Sequence, residues 1–344
     1  VLTGLAFACL DWLRTFLQVP TEAVWRDMRA YLFVIFWGIP ATFLYNFFAS
    51  YLRAIGNSLT PLIFLAISAV LNIVLDLWFV IGLERGVGGA AEATVIAQYV
   101  SGFGIAAYTL RISPQARLGF RLRGLRWRRV REIMSFSVLT CVQQSVMNLG
   151  ILMVQGLVNS FGPVVMAAFA AAVKIDAFAY MPVQDFGNAF STFIAQNYGA
   201  KEEKRIRAGM KGAVAVAMLF CIAVSAVICV FARPLMALFV EAGETEVLRE
   251  GMRYLRIEGA CYCGIGCLFL LYGLYRALGR PGMSVVLTVA SLGTRVALAY
   301  LLSAIPAVGV VGIWWSVPIG WFLADAIGLL YFHFRKARLL PWAE

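Results

Sequence analysis

Long apolar segments separated by short polar ones occupy almost the whole chain. Nine of them are long enough to cross a hydrocarbon layer of about 30 Å as helices. They lie near residues 31–52, 61–83, 87–111, 133–159, 164–195, 208–231, 252–276, 283–305 and 308–332, and a further apolar remnant covers 1–17. The pattern predicts an all-α polytopic membrane protein.

Parts of this pattern repeat each other at an offset of 223 residues. The run Arg-Ala-Ile-Gly at 53–56, which closes one predicted helix, has its counterpart in Arg-Ala-Leu-Gly at 276–279. The match continues without a gap through three helices, so that Ser68 falls on Ser291. Chance similarity of apolar sequences is the alternative, but shared landmarks at helix ends favour a duplication. We therefore expect two bundles related by a parallel repeat.

The repeat also predicts how long each copy is. Equal orientation requires an even number of spans between equivalent helices, so each copy should hold six, and the second begins near Ile133. The counterpart of 133–223 is absent from this sequence, which predicts a twelve-helix protein without its first two and a half helices. The expected organisation is an incomplete amino-terminal lobe at 1–111, a basic connector at 112–132 and a six-helix carboxy-terminal lobe at 133–344.

Composition and charge support the membrane assignment. Hydrophobic residues make up 62% of the chain and charged residues 14%, which excludes a water-soluble domain of this length. Eight arginines crowd 111–131, with no carboxylate before Glu132, so the positive-inside rule places this loop and the basic carboxy-terminal tail in the cytoplasm. The net charge of +11 is thus attributed to the basic cytoplasmic loops that orient the chain in the membrane, and no nucleic-acid partner is expected.

A polar cluster is predicted inside the amino-terminal lobe. Asn72 and Asp76 are four residues apart and share a helix face, with Ser68 one turn further along. Asp76 and Thr94 lie equally far from the hairpin that joins their helices, roughly 10 Å from it. A carboxylate at this depth is costly unless a proton, a cation or a partner base neutralises it, and these oxygens suit a hard ion. The alternatives are a switchable ion site and a carboxylate that only caps or bonds neighbouring helices.

Several segments resemble the multidrug and toxic compound extrusion (MATE) transporters. The resemblance rests on Tyr-Leu-Arg-Ala-Ile-Gly-Asn-Ser-Leu-Thr-Pro at 51–61, Leu-Asn-Ile-Val-Leu-Asp at 71–76 and the glycine- and alanine-rich run at 88–94. In the second half, Gln-Asn-Tyr-Gly-Ala at 196–200 is similar to the bacterial DinF-like branch. The resemblance to this family implies two six-helix lobes around a central cavity in a bacterial inner membrane.

The resemblance also implies a function and a site. A member of this family exports small cationic or amphipathic molecules in exchange for protons or sodium. Asn72, Asp76 and Thr94 match its amino-terminal cation site. In the family an aspartate on the first helix completes that site, and this helix belongs to the missing region.

The second lobe departs from the first at equivalent positions. The repeat sends Asn72 to Arg295 and Asp76 to Ala299. A fixed guanidinium there argues against a second, symmetry-related ion site, so coupling is expected in the first lobe. Charged residues in lipid need partners. A second polar set, interpreted as either a network within the lobe or contacts of a substrate cavity, consists of Gln143, Gln144, Lys174, Asp176 and Arg295.

The sequence therefore predicts a monomeric antiporter that works by alternating access among membrane lipids. No organic cofactor or metal centre is expected beyond a proton or Na⁺ at Asp76. A lipid-linked oligosaccharide flippase of the same superfamily is an alternative, but it needs a cationic cavity to which only Lys174 and Arg295 could contribute. A membrane-embedded enzyme would need converging nucleophile, base or metal ligands, and the motifs do not provide them.

Overall fold

Helices make up nearly all of the part of the chain that this computed structural model describes, namely residues 2–10, 22–114, 126–241 and 243–340. Twelve α-helices and one π-helical segment are found there. In chain order they are α1 (Leu2–Ala8), α2 (Glu22–Trp37), α3 (Ile39–Ala54), α4 (Leu59–Asp76) with the π-helix Leu77–Gly82, α5 (Gly86–Ile112), α6 (Trp127–Asn159), α7 (Pro163–Gly199), α8 (Glu203–Ala237), α9 (Thr245–Gly259), α10 (Tyr262–Ala277), α11 (Pro281–Ser303) and α12 (Val310–Leu339).

These helices match the apolar segments closely. By length and composition, eight helical stretches could cross a membrane, or nine if the pair α9 and α10, which bends by 51°, forms one span. The stretch from Trp25 to Ala54 is divided at Gly38, just before Pro40, whose ring disfavours an uninterrupted helix. Helix α7 instead continues through Pro182. The chain is a multi-pass membrane protein.

One predicted span needs correction. The segment 252–276 was expected to be one continuous helix, but α9 ends at Gly259 and α10 begins at Tyr262. The break falls 223 residues after Gly38, and α10 repeats the bounds of α3 at the same offset. The bend therefore belongs to the duplicated framework.

Identical helix ends provide further structural evidence for the repeat. Gly56 and Gly279 both have positive φ, at 89° and 72°, as the residue after a helix requires in a Schellman motif. In both copies the same two backbone hydrogen bonds close the helix, Gly56 N–H to Arg53 C=O with Asn57 N–H to Leu52 C=O, and their counterparts 223 residues later. The same cap at the same offset in both copies supports the duplication.

The chain divides into two compact units, an amino-terminal unit of residues 1–125 and a carboxy-terminal unit of residues 126–344. Their division falls inside the predicted connector, of which 115–125 lie outside the described residues, as do 11–21 of the predicted remnant.

The amino-terminal unit has a small buried core around Phe48, Leu52 and Ile105. Helices α3 and α5 approach closely where a Cβ on Gly102 would lie 2.8 Å from the carbonyl oxygen of Ala41. Helix α4 exposes many large apolar side chains, as expected for a helix that faces lipid.

The carboxy-terminal unit has a larger core. Its centre is an aromatic stack in which the rings of Phe169 and Trp314 are parallel at 5.5 Å and Tyr254 packs edge-on against Trp314 at 5.0 Å. These rings come from α7, α9 and α12, so the stack ties three helices together.

Candidate functional site

Hydrogen bonds join α4 to α5 along the predicted polar face. The Ser68 hydroxyl donates to the carbonyl oxygen of Ala97 at 3.0 Å, and one turn later Asn72 Nδ2 lies 3.4 Å from Thr94 Oγ1. Thr94 Oγ1 itself donates to the carbonyl oxygen of Ala90 at 3.0 Å. The Thr94 oxygen therefore accepts from one helix while it donates within its own. The structure brings Asn72 and Thr94 together at the interface of two helices.

Asp76 lies one turn beyond Asn72, at the point where α4 changes into the π-helix. Its side chain is half-buried, and its Oδ1 atom is shielded from solvent without a hydrogen-bond partner among the residues that the structure describes. Buried polar atoms are nearly always bonded, so such an exception calls for an explanation. Short π-helical segments inside helices are frequent at functional sites.

A nearby cation does not neutralise Asp76. The closest arginine along the chain in the following hairpin, Arg85, forms an ion pair with Glu92 and lies 5.8 Å from the Phe79 ring centre. Among the described residues Asp76 has no salt bridge. The described residues thus provide no ion-pair partner for the Asp76 carboxyl group.

This arrangement can hold a small cation or a proton. Asn72 uses its amide nitrogen toward Thr94, which leaves the amide oxygen as an acceptor on the face it shares with Asp76. Carboxylate, amide and hydroxyl oxygens are ligands for hard cations. A proton on Asp76 would neutralise the same carboxylate.

A second polar region lies within the carboxy-terminal unit, around a cavity of about 250 Å³. Asp176, Glu258 and Arg295 line it among aromatic side chains. The Tyr262 hydroxyl donates to Asp176 Oδ1 at 2.5 Å, and the Tyr254 hydroxyl donates to Glu258 Oε2 at 2.9 Å. Each carboxylate therefore has a tyrosine as a hydrogen-bond donor.

Two buried polar atoms of this cavity lack a hydrogen-bond partner among the described residues. Glu258 is only 1% exposed, and its Oε1 atom has no hydrogen-bond partner in the structure; the same holds for the Nε atom of Arg295. Two carboxylates and one guanidinium therefore line the same small cavity. The positive charge of Arg295 offsets part of the negative charge that the two carboxylates can carry.

Comparison with known proteins places the chain in a family. The family model described as MatE matches residues 1–78 and 138–301. The chain belongs to the MATE family.

Relatives of this MATE chain include proteins from Bacillus subtilis and Escherichia coli. The probable multidrug resistance protein YpnP of Bacillus subtilis is 30% identical over 345 residues, which cover 98% of this chain and 76% of that protein. The DNA damage-inducible protein F of Escherichia coli is 27% identical over 59% of the chain and 45% of its own length, in agreement with the DinF-like resemblance. The chain thus spans about three quarters of its YpnP relative.

Solved MATE structures have the same fold. The Vibrio cholerae MATE transporter VcmN in its bent form superposes with a TM-score of 0.85 at 23% identity and covers 99% of this chain and 75% of the other. Together with the repeat of helix ends described above, this match shows the twelve-helix MATE architecture.

Three of the residues predicted in the second polar set lie outside the cavity lining of this MATE chain. Gln143 is buried, Gln144 is exposed, and the Lys174 side chain is exposed with its ammonium 5.8 Å from the Phe239 ring centre. Only Asp176 and Arg295 of that set line the cavity. Lys174 and Asp176 point in different directions, as their spacing of two residues on a helix implies.

Sequence reasoning underestimated the acidic residues of the carboxy-terminal unit. Glu258 and Asp325 were not among the predicted site residues, although Asp325 is 6% exposed and its Oδ1 has no hydrogen-bond partner among the described residues. An ionisable residue within a membrane span is a functional candidate by default, and that rule would have identified both. The spacing of Tyr254 and Glu258, four residues apart on one helix, is a further signal.

Proposed function

We propose that this chain is part of a secondary active antiporter of the bacterial inner membrane. It exports small cationic or amphipathic organic molecules in exchange for protons or sodium, and the driving ion acts at Asp76. The observation that carries the proposal is the shielded Oδ1 of Asp76, which lacks a protein partner beside the Asn72–Thr94 contact. The coupling role of these residues rests on this geometry and on the family resemblance.

The mechanism follows from the cost of charge in lipid. A carboxylate inside a span costs a few kcal/mol on insertion scales, and a captured proton or cation removes that cost. A ligand shifts a conformational equilibrium only by its differential affinity for the two states. We therefore infer that occupation of Asp76 stabilises one state of an alternating-access cycle and that release stabilises the other.

The environment of the protein is part of the proposal. The basic segment at 111–131 and the carboxy-terminal tail lie on the cytoplasmic side, and the transporter works as a monomer without an organic cofactor. Its relatives are transporters, which favours transport over membrane-embedded catalysis. A flippase is not favoured, because Lys174 lies outside the cavity and Arg295 shares it with two carboxylates.

Flux measurements test the proposal. The full-length protein, reconstituted in vesicles, should move ethidium when a proton or sodium gradient is applied. Asp76→Asn keeps the side-chain shape but cannot change charge, so it should abolish the gradient-dependent flux. The matched control is Asp27→Asn, because Asp27 is exposed and only loosely paired with Arg26 at 3.9 Å. Gradient-driven export by Asp76→Asn at the wild-type rate would refute the coupling role.

A second candidate for coupling is Glu258. Its unpaired Oε1 at 1% exposure is the specific observation in its favour. If it carries the coupling, Glu258→Gln removes gradient-driven export and Asp76→Asn does not. The reverse result assigns coupling to the amino-terminal unit.

A further inference from the structure

Three arginines in the carboxy-terminal unit are explained neither by the coupling site nor by the topology. Arg249, Arg253 and Arg256 are spaced by four and three residues, so they share one exposed face of α9. They lie at the end of the unit where α8 ends and α9 begins. The basic segments at 201–211 and 276–280 lie at the opposite end, so the positive-inside rule does not account for these three.

The arginines line an open groove between α9 and the start of α12. Its volume is about 680 Å³. Its other lining residues are Glu250, Met252, Ile257, Val311 and Trp315. The groove therefore combines a row of guanidinium groups with apolar side chains.

The charge of the groove is positive. Glu250 is the single carboxylate in its lining, and it lies 4.0 Å from Arg253, at the limit of an ion pair. Arg249 and Arg256 form no salt bridge with any described residue. Two guanidinium groups are thus left without an acidic partner on an exposed surface.

The depth of the groove places it at the membrane surface. Arg256 and Arg276 are 20 positions apart on the bent pair α9 and α10, which corresponds to about 30 Å of helix. This is roughly the thickness of the hydrocarbon layer. Arg256 thus lies near one boundary when Arg276 lies near the other, and Arg249 and Arg253 lie farther out. Trp315, one turn into α12, occupies the level at which indole rings are enriched.

We propose that this groove binds the phosphate of a phospholipid headgroup from the adjacent leaflet. One guanidinium group can donate two parallel hydrogen bonds to two oxygens of a phosphate, and this bidentate contact fixes the orientation of the phosphate as well as strengthening its binding. The apolar side chains of Met252, Val311 and Trp315 would contact the upper part of the acyl chains. A free phosphate ion would leave that apolar surface without a ligand, so the lipid is the occupant that uses the whole groove.

Native mass spectrometry of the full-length protein tests this site. Short-chain phosphatidylglycerol is titrated against the wild type and against the triple variant Arg249→Gln, Arg253→Gln, Arg256→Gln. We expect the triple variant to lose about tenfold or more in affinity, because it loses its charge-assisted bonds. The matched control is Lys204→Gln, Arg205→Gln, Lys211→Gln, which removes three exposed cations elsewhere in the unit and should bind like the wild type.

Other outcomes overturn the proposal. Equal lipid binding by the triple variant and the wild type would refute it, and so would equal losses in the triple variant and the control. Inorganic phosphate that competes as well as the lipid would mean that the apolar surface takes no part. If the triple variant does not fold, Arg256→Lys replaces it; this change keeps the charge but removes the planar fork, and unchanged lipid affinity would contradict the site.

Discussion

The two units place ionisable groups in lipid in opposite ways. In the amino-terminal unit, Asp76 is half-buried beside the neutral side chains of Asn72 and Thr94. In the carboxy-terminal unit, buried Glu258 shares a cavity with the fixed cation Arg295. No described cation forms a salt bridge with the first carboxylate, whereas the second lines the same cavity as a guanidinium group. A bound cation or proton would therefore stabilise the carboxyl group of the amino-terminal unit more than that of the carboxy-terminal unit.

Equivalent positions of the two copies also differ in how they join neighbouring helices. Ser68 and Ser291 are equivalent, but in the first copy the Ser68 hydroxyl bridges to the carbonyl oxygen of Ala97. In the second copy the counterpart of Ala97 is Gly320. Gly320 approaches Ser291 so closely that a Cβ would lie 2.5 Å from the Ser291 carbonyl oxygen. Helices α11 and α12 thus meet through backbone contact where α4 and α5 are joined by a polar side chain. The helix framework is conserved between the copies while the chemistry of the interface differs.

Removal of Arg295 should give the largest loss of stability. Arg295→Met leaves Asp176 and Glu258 in one cavity without their nearby cation, and an uncompensated buried charge costs about 3–5 kcal/mol. Thermal unfolding of the detergent-solubilised protein measures the effect. Arg280→Met, an exposed position just before the same helix, should leave the midpoint unchanged.

A double variant sharpens this prediction. If charge balance is the cause, Glu258→Gln in the Arg295→Met background should restore part of the lost stability, because it removes one of the two carboxylates. A double variant that is less stable than Arg295→Met would show that Arg295 acts by packing instead.

The hydroxyl of Tyr254 should contribute somewhat less. It donates to Glu258 Oε2, and the other oxygen of that carboxylate already lacks a partner. Tyr254→Phe should therefore destabilise the protein by about 1–3 kcal/mol, the cost of an unsatisfied buried acceptor. Tyr180→Phe is the control, since Tyr180 lines the same cavity without a described bond to either carboxylate. Equal unfolding midpoints for the two variants would contradict this role of the hydroxyl.

The sequence predicted the fold in most respects because hydrophobic segments and helix-end glycines are local signals. Gly56 and Gly279 follow equivalent Arg-Ala-Ile and Arg-Ala-Leu runs, so the sequence indicates both the helix ends and the repeat. The break between α9 and α10 was missed because Ala260 and Cys261 are not helix breakers. It was nevertheless implied by the repeat, since the equivalent Gly38 precedes a proline.

The sites were less predictable. Spacing along α4 and α5 was sufficient to bring Asn72 and Thr94 together, because the hairpin between the helices fixes their depth. Lys174 was predicted either to join a polar network within the lobe or to contact a substrate cavity. It lies outside the cavity lining, with its ammonium 5.8 Å from the Phe239 ring centre, because a long side chain can carry its charge away from its own helix face. The importance of Glu258 depends on a cavity whose lining comes from six helices, α6, α7 and α9 to α12, and no local sequence pattern reports such a convergence.

Within the amino-terminal unit, Thr94 should affect ion affinity more than stability. Thr94→Val keeps the shape but removes the oxygen that lies 3.4 Å from the amide of Asn72. We expect the half-saturating concentration of the driving ion to rise about tenfold, which corresponds to about 1.4 kcal/mol, while the maximal export rate is retained. The control is Thr109→Val, which breaks the same type of bond, from Thr109 Oγ1 to the Ile105 carbonyl oxygen, on the same helix. A tenfold rise in both variants would point to helix distortion instead.

Ser68 should have the smallest effect, because its hydroxyl is already engaged. It donates from α4 to the Ala97 carbonyl oxygen, and Ser101 donates in the opposite direction, from α5 to the Phe64 carbonyl oxygen. Ser68→Ala and Ser101→Ala should each cost about 0.5–1.5 kcal/mol in unfolding experiments, the net value of one neutral hydrogen bond. If Ser68 only joins the helices, the two variants should have the same ion affinity. A weaker ion affinity in Ser68→Ala alone would extend the coupling site one turn along α4, beyond Asn72.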